Sequence, residues 1–410
     1  MNETPNWLDF FEDRERRYAA FYLDYARRRA RRDPAAYEQL EAEIGNLLKT
    51  ATWLAGHDEA EGILALATAL WSKSDFLRSR GYIQRGLPLL EQARRAAQEQ
   101  GDVAAQCVWL EAIGHVHILN GSPALAQPLY EQALLLAEMC ETQIFEAKVR
   151  LGLGRLLTDI GRVDDAVIQL EQSLQLYRNL IDYEGEIEAL TILTNALSLQ
   201  GDFESAVSYL EQGLPTTQLR QDRQGEAEVR YALGYNAALA EDWSQAIIHF
   251  EVATDIAKEI GDRFHEVRGL SALGEAWLAQ GDAQKSLTVL LEALARQETI
   301  DDLITKTLTH FYLAKVYRAL HHFDDCLHQL EQVHPFRQVP ILATLAAEAE
   351  WIKAEIYLER GNIKLAKNAL GEVLNLASEA AGLIGNQAKQ LLEELQNNHE
   401  IIPANAVECF

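Results

Sequence analysis

The chain has 410 residues and a formal charge of −25, from 37 lysines and arginines against 62 aspartates and glutamates. A field of that sign repels phosphate backbones, so it argues against nucleic-acid binding and favours proteins, peptides or cations as partners. Hydrophobic residues make up 48% of the sequence, which is typical of a globular protein. The longest apolar run, from Ile63 to Trp71, is too short to cross a membrane, and no basic region precedes an apolar stretch at the start. We therefore expect a cytoplasmic protein.

Residues 1–61 are predicted to form helices that cap one end of the molecule, outside any repeat. One apolar helix face is formed by Tyr18, Phe21, Tyr22 and Tyr25. The next helix is predicted to begin at Pro34, with Asp33 as its N-cap. Between them lies the basic cluster Arg27–Arg32, for which three hypotheses stay open: a contact with nucleic acid or an acidic partner, docking onto an acidic surface of this chain, or a solvated helix end.

A repeat of forty residues occupies most of the remaining chain. The segments that begin at Ile160 and Gln200 read IGRVDDAVIQLEQSL and QGDFESAVSYLEQGL. Stepping by forty from the glycine in each segment, without insertion or deletion, reaches eight anchor residues: Gly81, Gly121, Gly161, Gly201, Glu241, Gly281, His321 and Gly361. The pattern predicts a degenerate repeat over 62–103 and seven full repeats over 104–374.

Three positions relative to the anchor predict how each repeat folds. The fifth residue after it is small or slim in every copy, and the seventh before it is small from the second copy onward. The ninth residue after it is large and apolar, for example Leu170 or Phe250. Each copy therefore predicts a helix A, a tight turn at the anchor and a helix B, which approach closely where side chains are small. One pair cannot bury its apolar faces alone, but a stack of pairs can.

The copy from Ala272 to Leu294 reads ALGEAWLAQGDAQKSLTVLLEAL and resembles the tetratricopeptide repeat. The consensus of that family places Leu-Gly on helix A, glycine at the turn and alanine twice along helix B. The matching residues here are Leu273, Gly274, Gly281, Ser286 and Ala293. The resemblance implies an all-α fold, a right-handed superhelical solenoid of antiparallel helix pairs. It also implies a non-enzymatic protein that binds a protein or peptide.

A second resemblance concerns the segments YAAFYLDYAR, from Tyr18, and YEQLEAEIGNLLKTATWLAGHDEAEGILALATALW, from Tyr37. They are similar to the region that joins the motor to the repeat arm in STAND-class signalling ATPases of the maltose-regulator type. The sequence contains no G-x-x-x-x-G-K-[ST] phosphate loop, so we interpret it as a sensor or scaffold arm without an ATPase. The expected role is a bacterial regulatory sensor or assembly adaptor. The alternative is a peptide-gated regulator resembling the repeat receptors of quorum sensing.

The resemblance also implies that helix A of each repeat lines a concave groove. Two positions on the same helix face, six and ten residues before the anchor, are then candidates for ligand contact. The predicted binding residues are Arg155, Thr191, Asn195, Tyr231, Tyr235, Glu275, Phe311 and Lys315. The alternative is that these side chains only face solvent, which is the usual state of polar residues on helices.

The stretch from His321 to His334 invites a metal hypothesis because it gathers His321, His322, Asp324, Cys326 and His328. Cys326 falls on the small, buried position of helix B, and the spacing matches no standard zinc motif, so we expect no metal ion. No nucleophile motif or glycine-rich loop is present, and we expect neither catalysis nor a cofactor. The four cysteines lie far apart, which fits a reducing compartment.

The sequence beyond the repeats predicts a capping helix over 375–398 and a disordered tail over 399–410. The glutamine- and glutamate-rich end of that helix is polar enough to face water, as expected of the last element of a solenoid. Two copies of the chain could also stack through their end caps, so a homodimer stays an open alternative.

Overall fold

The computed structural model describes residues 7–140, 142–297, 300, 302–333, 340–376 and 382–397. Within these ranges the backbone forms helices and tight turns and no β-strand, which confirms the predicted all-α fold. No helix of the described part is long and apolar enough to cross a membrane. The predicted tail, 399–410, lies outside the described residues.

Six helices precede the repeats and form what we call the N-terminal bundle. They are α1 (Trp7–Arg29), α2 (Pro34–Ala42), α3 (Ile44–Gly56), α4 (Ala60–Ala67), α5 (Phe76–Ser79) and α6 (Ile83–Glu99). The Asp33 carboxylate accepts a hydrogen bond from the amide of Ala36, with Pro34 at the first helical position, as predicted. Between α4 and α5 the chain makes a π-helical turn, Thr68–Lys73.

Fourteen further helices form seven antiparallel pairs, which we number repeats 1 to 7. Repeats 1 to 4 comprise α7 (Val103–Leu119) with α8 (Pro123–Cys140), α9 (Gln143–Asp159) with α10 (Val163–Leu180), α11 (Tyr183–Leu199) with α12 (Phe203–Arg220), and α13 (Arg223–Leu239) with α14 (Trp243–Ile260). Repeats 5 to 7 comprise α15 (Arg263–Ala279) with α16 (Ala283–Gln297), α17 (Leu303–Ala319) with α18 (Phe323–Leu330), and α19 (Pro340–Glu359) with α20 (Ile363–Leu376).

Helix A of a repeat contacts its own helix B and, in repeats 1 to 6, also helix A of a neighbouring repeat, so the pairs stack into a solenoid. A last helix, α21 (Gly382–Asn397), buries Ala388 and Leu395 against repeat 7. The boundaries proposed for the end regions, 1–61 and 375–398, stay predictions.

The anchors form the turns that the repeat pattern predicted. All eight adopt the left-handed backbone conformation, with φ between 59° and 87°, although two of them, Glu241 and His321, are not glycine. Aspartates that cap the next helix occur in both turns of the repeat. Those capping a helix A are Asp102, Asp182, Asp222, Asp262 and Asp302. The turns are therefore encoded locally, by left-handed residues followed by a capping carboxylate.

Replacing Glu241 by glycine should raise the stability of the fold by about 1 kcal/mol, because a side chain in the left-handed region is strained. The matched change is Gly201→Ala at the equivalent turn, where φ is 85° and an added Cβ meets no atom within 4 Å. That change should destabilise through the backbone alone. Melting temperatures followed by circular dichroism test both, and a lower melting temperature for Glu241→Gly would contradict the argument.

Helices A and B approach each other at the small positions. Every residue five after an anchor is buried, from Gly86 to Ala366. A Cβ built on Gly154 would lie 2.4 Å from Leu170 Cγ, and one on Gly234 would lie 2.6 Å from the ring of Phe250. These glycines are required because the large residue nine after the anchor packs directly on the backbone of helix A.

The N-terminal bundle folds back to contact repeats far away in the chain. Arg32 makes an ion pair with Glu184, at the start of α11. Glu41 on α2 makes an ion pair with Arg263 at the start of α15, and Phe264 packs into the core of the bundle. The second hypothesis for the arginine cluster, docking onto this chain, is therefore what the structure shows for Arg32. We call these contacts between the N-terminal bundle and the repeats the closure. The periodic pattern did not predict it.

Candidate functional site

A cavity of about 270 Å³ lies between the N-terminal bundle and the first helices of repeats 1 to 3. We call the face that those first helices turn towards the bundle, continued along the later repeats, the inner surface. The bundle contributes Trp71 from the π-helical turn, and Asp75 and Arg78 from the start of α5. Repeats 1 to 3 contribute Glu111 and His115 from α7 and Glu188 from α11, among others. The cavity therefore exists only because the bundle covers the repeats.

Arg155, a predicted binding residue, connects three repeats beside the cavity. Its guanidinium donates to Nε2 of His115 at 3.0 Å and to Glu188 Oε1 at 2.9 Å. Burial and the neighbouring guanidinium hold the pKa of His115 well below its ordinary value, so the imidazole is neutral and accepts this hydrogen bond. Arg155 is thus partly engaged in holding helices A together.

Lys315 is engaged in the same way between repeats 6 and 7. Its ammonium group donates to Glu348 Oε1 at 2.9 Å and lies 5.3 Å from the centre of the Phe311 ring. Such contacts between successive helices A hold the inner surface in one shape, which favours a preformed binding face.

Asn195 and Tyr235 lie on the inner surface without a hydrogen bond to any other residue in the described ranges. Both are half-buried, and burial raises the pKa of Tyr235 to about 12, so its phenol is neutral. Tyr231 packs against Phe250 with ring centres 5.3 Å apart, and the Arg268 guanidinium lies 4.8 Å from the centre of the Tyr231 ring. The side chains of Asn195 and Tyr235 therefore keep donors and acceptors for a ligand.

The three remaining predicted residues are less available. Glu275 is hydrogen-bonded with Tyr312, and burial raises the pKa of its carboxyl. Thr191 is buried and donates to the carbonyl oxygen of Glu188 at 2.9 Å. Phe311 is completely buried in the core between repeats 6 and 7. In this conformation Thr191 and Phe311 support the inner surface from beneath and do not form part of it.

Glu111 is an acidic side chain of the cavity that makes no ion pair or hydrogen bond within the part of the chain that the structure describes. Burial, and next the charge of Glu188, raise the pKa of Glu111 to about 7. Lys148, Arg155 and Arg78 act in the opposite direction from the neighbouring elements. The cavity therefore holds a carboxyl group that titrates near neutral pH.

Glu111→Gln should stabilise the protein above pH 7 and have little effect below pH 5. The folded-state pKa of about 7 lies above the ordinary value of 4.5, so the folded state binds this proton more tightly than the unfolded state. The stability that this group contributes is present below its ordinary pKa and is lost as the pH rises through 7. Melting temperatures of both proteins from pH 5 to pH 8 check this. An offset that does not change with pH would contradict it.

Several inner-surface residues were missed by the two positions chosen from the sequence. They lie thirteen residues before the anchor, one further helical turn along the same face: Lys148, Glu188, Glu228, Arg268 and Glu348. Continuing the helical spacing by that turn identifies them. Trp71 and Arg78 gave no such signal, because they belong to the N-terminal bundle and reach the cavity only through the closure.

The histidine and cysteine cluster in repeat 6 has a structural explanation. His321 is the left-handed turn residue, and Cys326 is completely buried, which raises the pKa of its thiol to about 11. Across the described ranges, no group of three or more His, Cys, Asp or Glu side chains is placed to hold a metal ion.

Comparison with known proteins identifies other proteins with this architecture. A family model for the tetratricopeptide repeat matches residues 145–218, which lie within repeats 2 and 3. The Rap protein complexed with Competence and Sporulation Factor is similar at a TM-score of 0.55 and 15% identity, covering 87% of this chain and 99% of that one. The Cut9–Hcn1 hetero-tetramer of APC/C reaches 0.56 and 16%, covering 88% of this chain and 62% of that one. The chain has the tetratricopeptide-repeat fold.

A further solved structure has the architecture suggested by the N-terminal segments. It is a STAND signal-transduction ATPase with a tetratricopeptide-repeat sensor from Pyrococcus horikoshii, at a TM-score of 0.50 and 14% identity. The match covers 87% of this chain and 54% of the ATPase. No curated protein matches the sequence. At these identities the solved structures show the fold of the chain and do not identify a ligand.

Proposed function

We propose that this tetratricopeptide-repeat protein is a non-enzymatic module that binds an extended peptide or protein segment on its inner surface. The observation that supports the proposal is that the side chains of Asn195 and Tyr235, on helices A of successive repeats, make no hydrogen bond within the described ranges. An amide side chain both donates and accepts hydrogen bonds, which suits the N–H and C=O groups of an extended backbone. The cavity beside them adds space for a side chain.

The proposed cellular role is a bacterial regulatory sensor or assembly adaptor in the cytoplasm. The similarity to the Rap protein complexed with Competence and Sporulation Factor supports a sensor, since the shared fold extends over 87% of this chain. The similarity to a STAND sensor supports the same role. In either case the partner is a protein or peptide.

The test is affinity capture from the host lysate with wild type and Asn195→Ala/Tyr235→Phe side by side, read by mass spectrometry. The double variant removes two polar groups and keeps the packing of the ring. Its matched control is Gln172→Ala/Tyr209→Phe, which likewise removes one side-chain amide and one phenol hydroxyl, on helices B of repeats 2 and 3.

We expect a partner that is retained by wild type and the control and reduced by about tenfold or more in the double variant. Affinities for that partner, measured by titration calorimetry, should follow the same order. Equal retention by all three proteins would move the binding site away from the inner surface.

The second candidate function is a peptide-gated regulator, favoured by the contact between the N-terminal bundle and repeat 5. A ligand that enters the cavity changes the contacts holding Arg32 to Glu184 and thereby the closure. Small-angle scattering separates the two functions: a gated regulator changes its radius of gyration on adding the captured peptide, whereas a passive scaffold keeps one shape.

A further inference from the structure

Three ion pairs surround the cavity, and two of its charged side chains, Glu111 and Lys148, make no ion pair within the described ranges. Arg78 donates three hydrogen bonds of 2.9–3.0 Å to Asp75. Arg32 makes an ion pair with Glu184, and Arg155 makes one with Glu188. The remaining acid of the lining besides Glu111 is Asp182, which caps α11 through the amide of Gly185. Glu111 keeps its carboxylate free within the described part of the protein.

Lys148 is the remaining cation of the lining. Lys148 is exposed, and its charge opposes the rise in the pKa of Glu111. The two side chains make no ion pair within the described ranges. His115 is neutral. With Arg155 included, the cavity therefore has five carboxylates against four cationic side chains. An occupant with one positive charge balances it.

Aromatic rings line the same space. Trp71 enters from the π-helical turn, Phe145 from α9 and Tyr177 from α10. The face of an aromatic ring attracts ammonium and guanidinium groups, most strongly where water is excluded. A cation in this cavity is therefore close to both a free carboxylate and aromatic rings.

We propose that the cavity is the subsite for a basic side chain, an arginine or lysine of the bound peptide, with Glu111 as its counter-ion. The inference rests on the proposed function because it places a peptide on the inner surface. The volume of about 270 Å³ lies just below the range of about 300–1,000 Å³ usual for whole ligands, and suits one long side chain. The rest of the peptide then follows the inner surface towards Asn195.

The titration of Glu111 supports this assignment. A bound guanidinium or ammonium group stabilises the ionised carboxylate, so binding releases the proton that Glu111 holds near neutral pH. The affinity for a basic peptide should therefore be higher at pH 8 than at pH 6. The charged groups that face Glu111 from the other elements are Arg78, Lys148, Arg155 and Glu188, and the phenols of Tyr130 and Tyr177 also lie near it.

The probes are two pentapeptide libraries, one with arginine at the central position and one with citrulline, its neutral counterpart, and with the other positions randomised. Binding to the full chain is measured by fluorescence anisotropy at pH 8. The variants are Glu111→Gln, which keeps the shape of the side chain, and Glu171→Gln on the exposed face of α10 as the control. Melting temperatures verify that both variants fold.

We expect wild type and Glu171→Gln to prefer the arginine library by about tenfold, the usual order for a charge-assisted hydrogen bond, and Glu111→Gln to lose the preference. Equal binding of both libraries to wild type, or a preference that survives Glu111→Gln, overturns the subsite. In that case binding that is lost in Asn195→Ala/Tyr235→Phe leaves the proposed function standing. Failure of every library to bind overturns both.

Discussion

Glu41→Ala should cost about 3 kcal/mol or more of stability and open the contact between the N-terminal bundle and repeat 5. The Glu41 carboxylate pairs with Arg80 at 3.0 Å and Arg263 at 2.5 Å, and accepts from the hydroxyl of Tyr82 at 2.9 Å. The Arg80 side chain is only 6% exposed, and this burial lowers the pKa of its guanidinium. Without the carboxylate, the guanidinium groups of Arg80 and Arg263 stay close together in the protein and repel each other.

Thermal unfolding and small-angle scattering measure the two consequences of Glu41→Ala. We expect a lower melting temperature and a larger radius of gyration, because α2 and α15 lose their ionic contact. Glu38→Ala is the control, since Glu38 lies on the same helix but is exposed and should change stability by no more than about 0.5 kcal/mol. If the two variants behave alike, the carboxylate of Glu41 does not hold the closure.

Gly152→Ala should destabilise the protein by about 2 kcal/mol, because overpacking a filled core outweighs the gain in helix propensity. The added Cβ would lie 2.2 Å from Cε1 of Tyr130, whose ring is completely buried. The opposite edge of that ring faces Gly114, where an added Cβ would lie 2.9 Å away. The ring is held between two helices A and has no space into which to move.

Gly371→Ala is the matched control for Gly152→Ala, because an added Cβ on this α20 glycine meets no atom within 4 Å. Only the helix propensity then changes, and the melting temperature should rise slightly. Melting curves followed by circular dichroism compare the two variants. A stabilising Gly152→Ala would mean that the ring of Tyr130 yields, and that small residues at this position are not required for packing.

The residues of the proposed binding face were predictable only in part from the sequence. Helical spacing placed Asn195 and Tyr235 on the inner surface, where the structure has them with free polar groups. The same spacing included Phe311, which is buried. The two positions differ in burial. The residue six before the anchor is half-buried in repeats 2 to 7, whereas the residue ten before it is buried in repeats 2, 3, 5 and 6, as at Thr191 and Phe311. Spacing alone does not report which of two positions on one helix face is covered by the neighbouring helices.

By itself the sequence determined the repeat, its turns and its close helix contacts. These depend on neighbours within one copy, such as the left-handed residue at the anchor and the carboxylate that caps the next helix, and a pattern of forty residues records them directly. The tertiary structure alone decided the closure and the cavity. Arg32 contacts Glu184, 152 residues away in the sequence, and Glu41 contacts Arg263, 222 residues away. Such contacts form because the curvature of several successive repeats brings distant residues together. No single repeat encodes that curvature, so Glu111, Trp71 and their common cavity emerge only when the solenoid is complete.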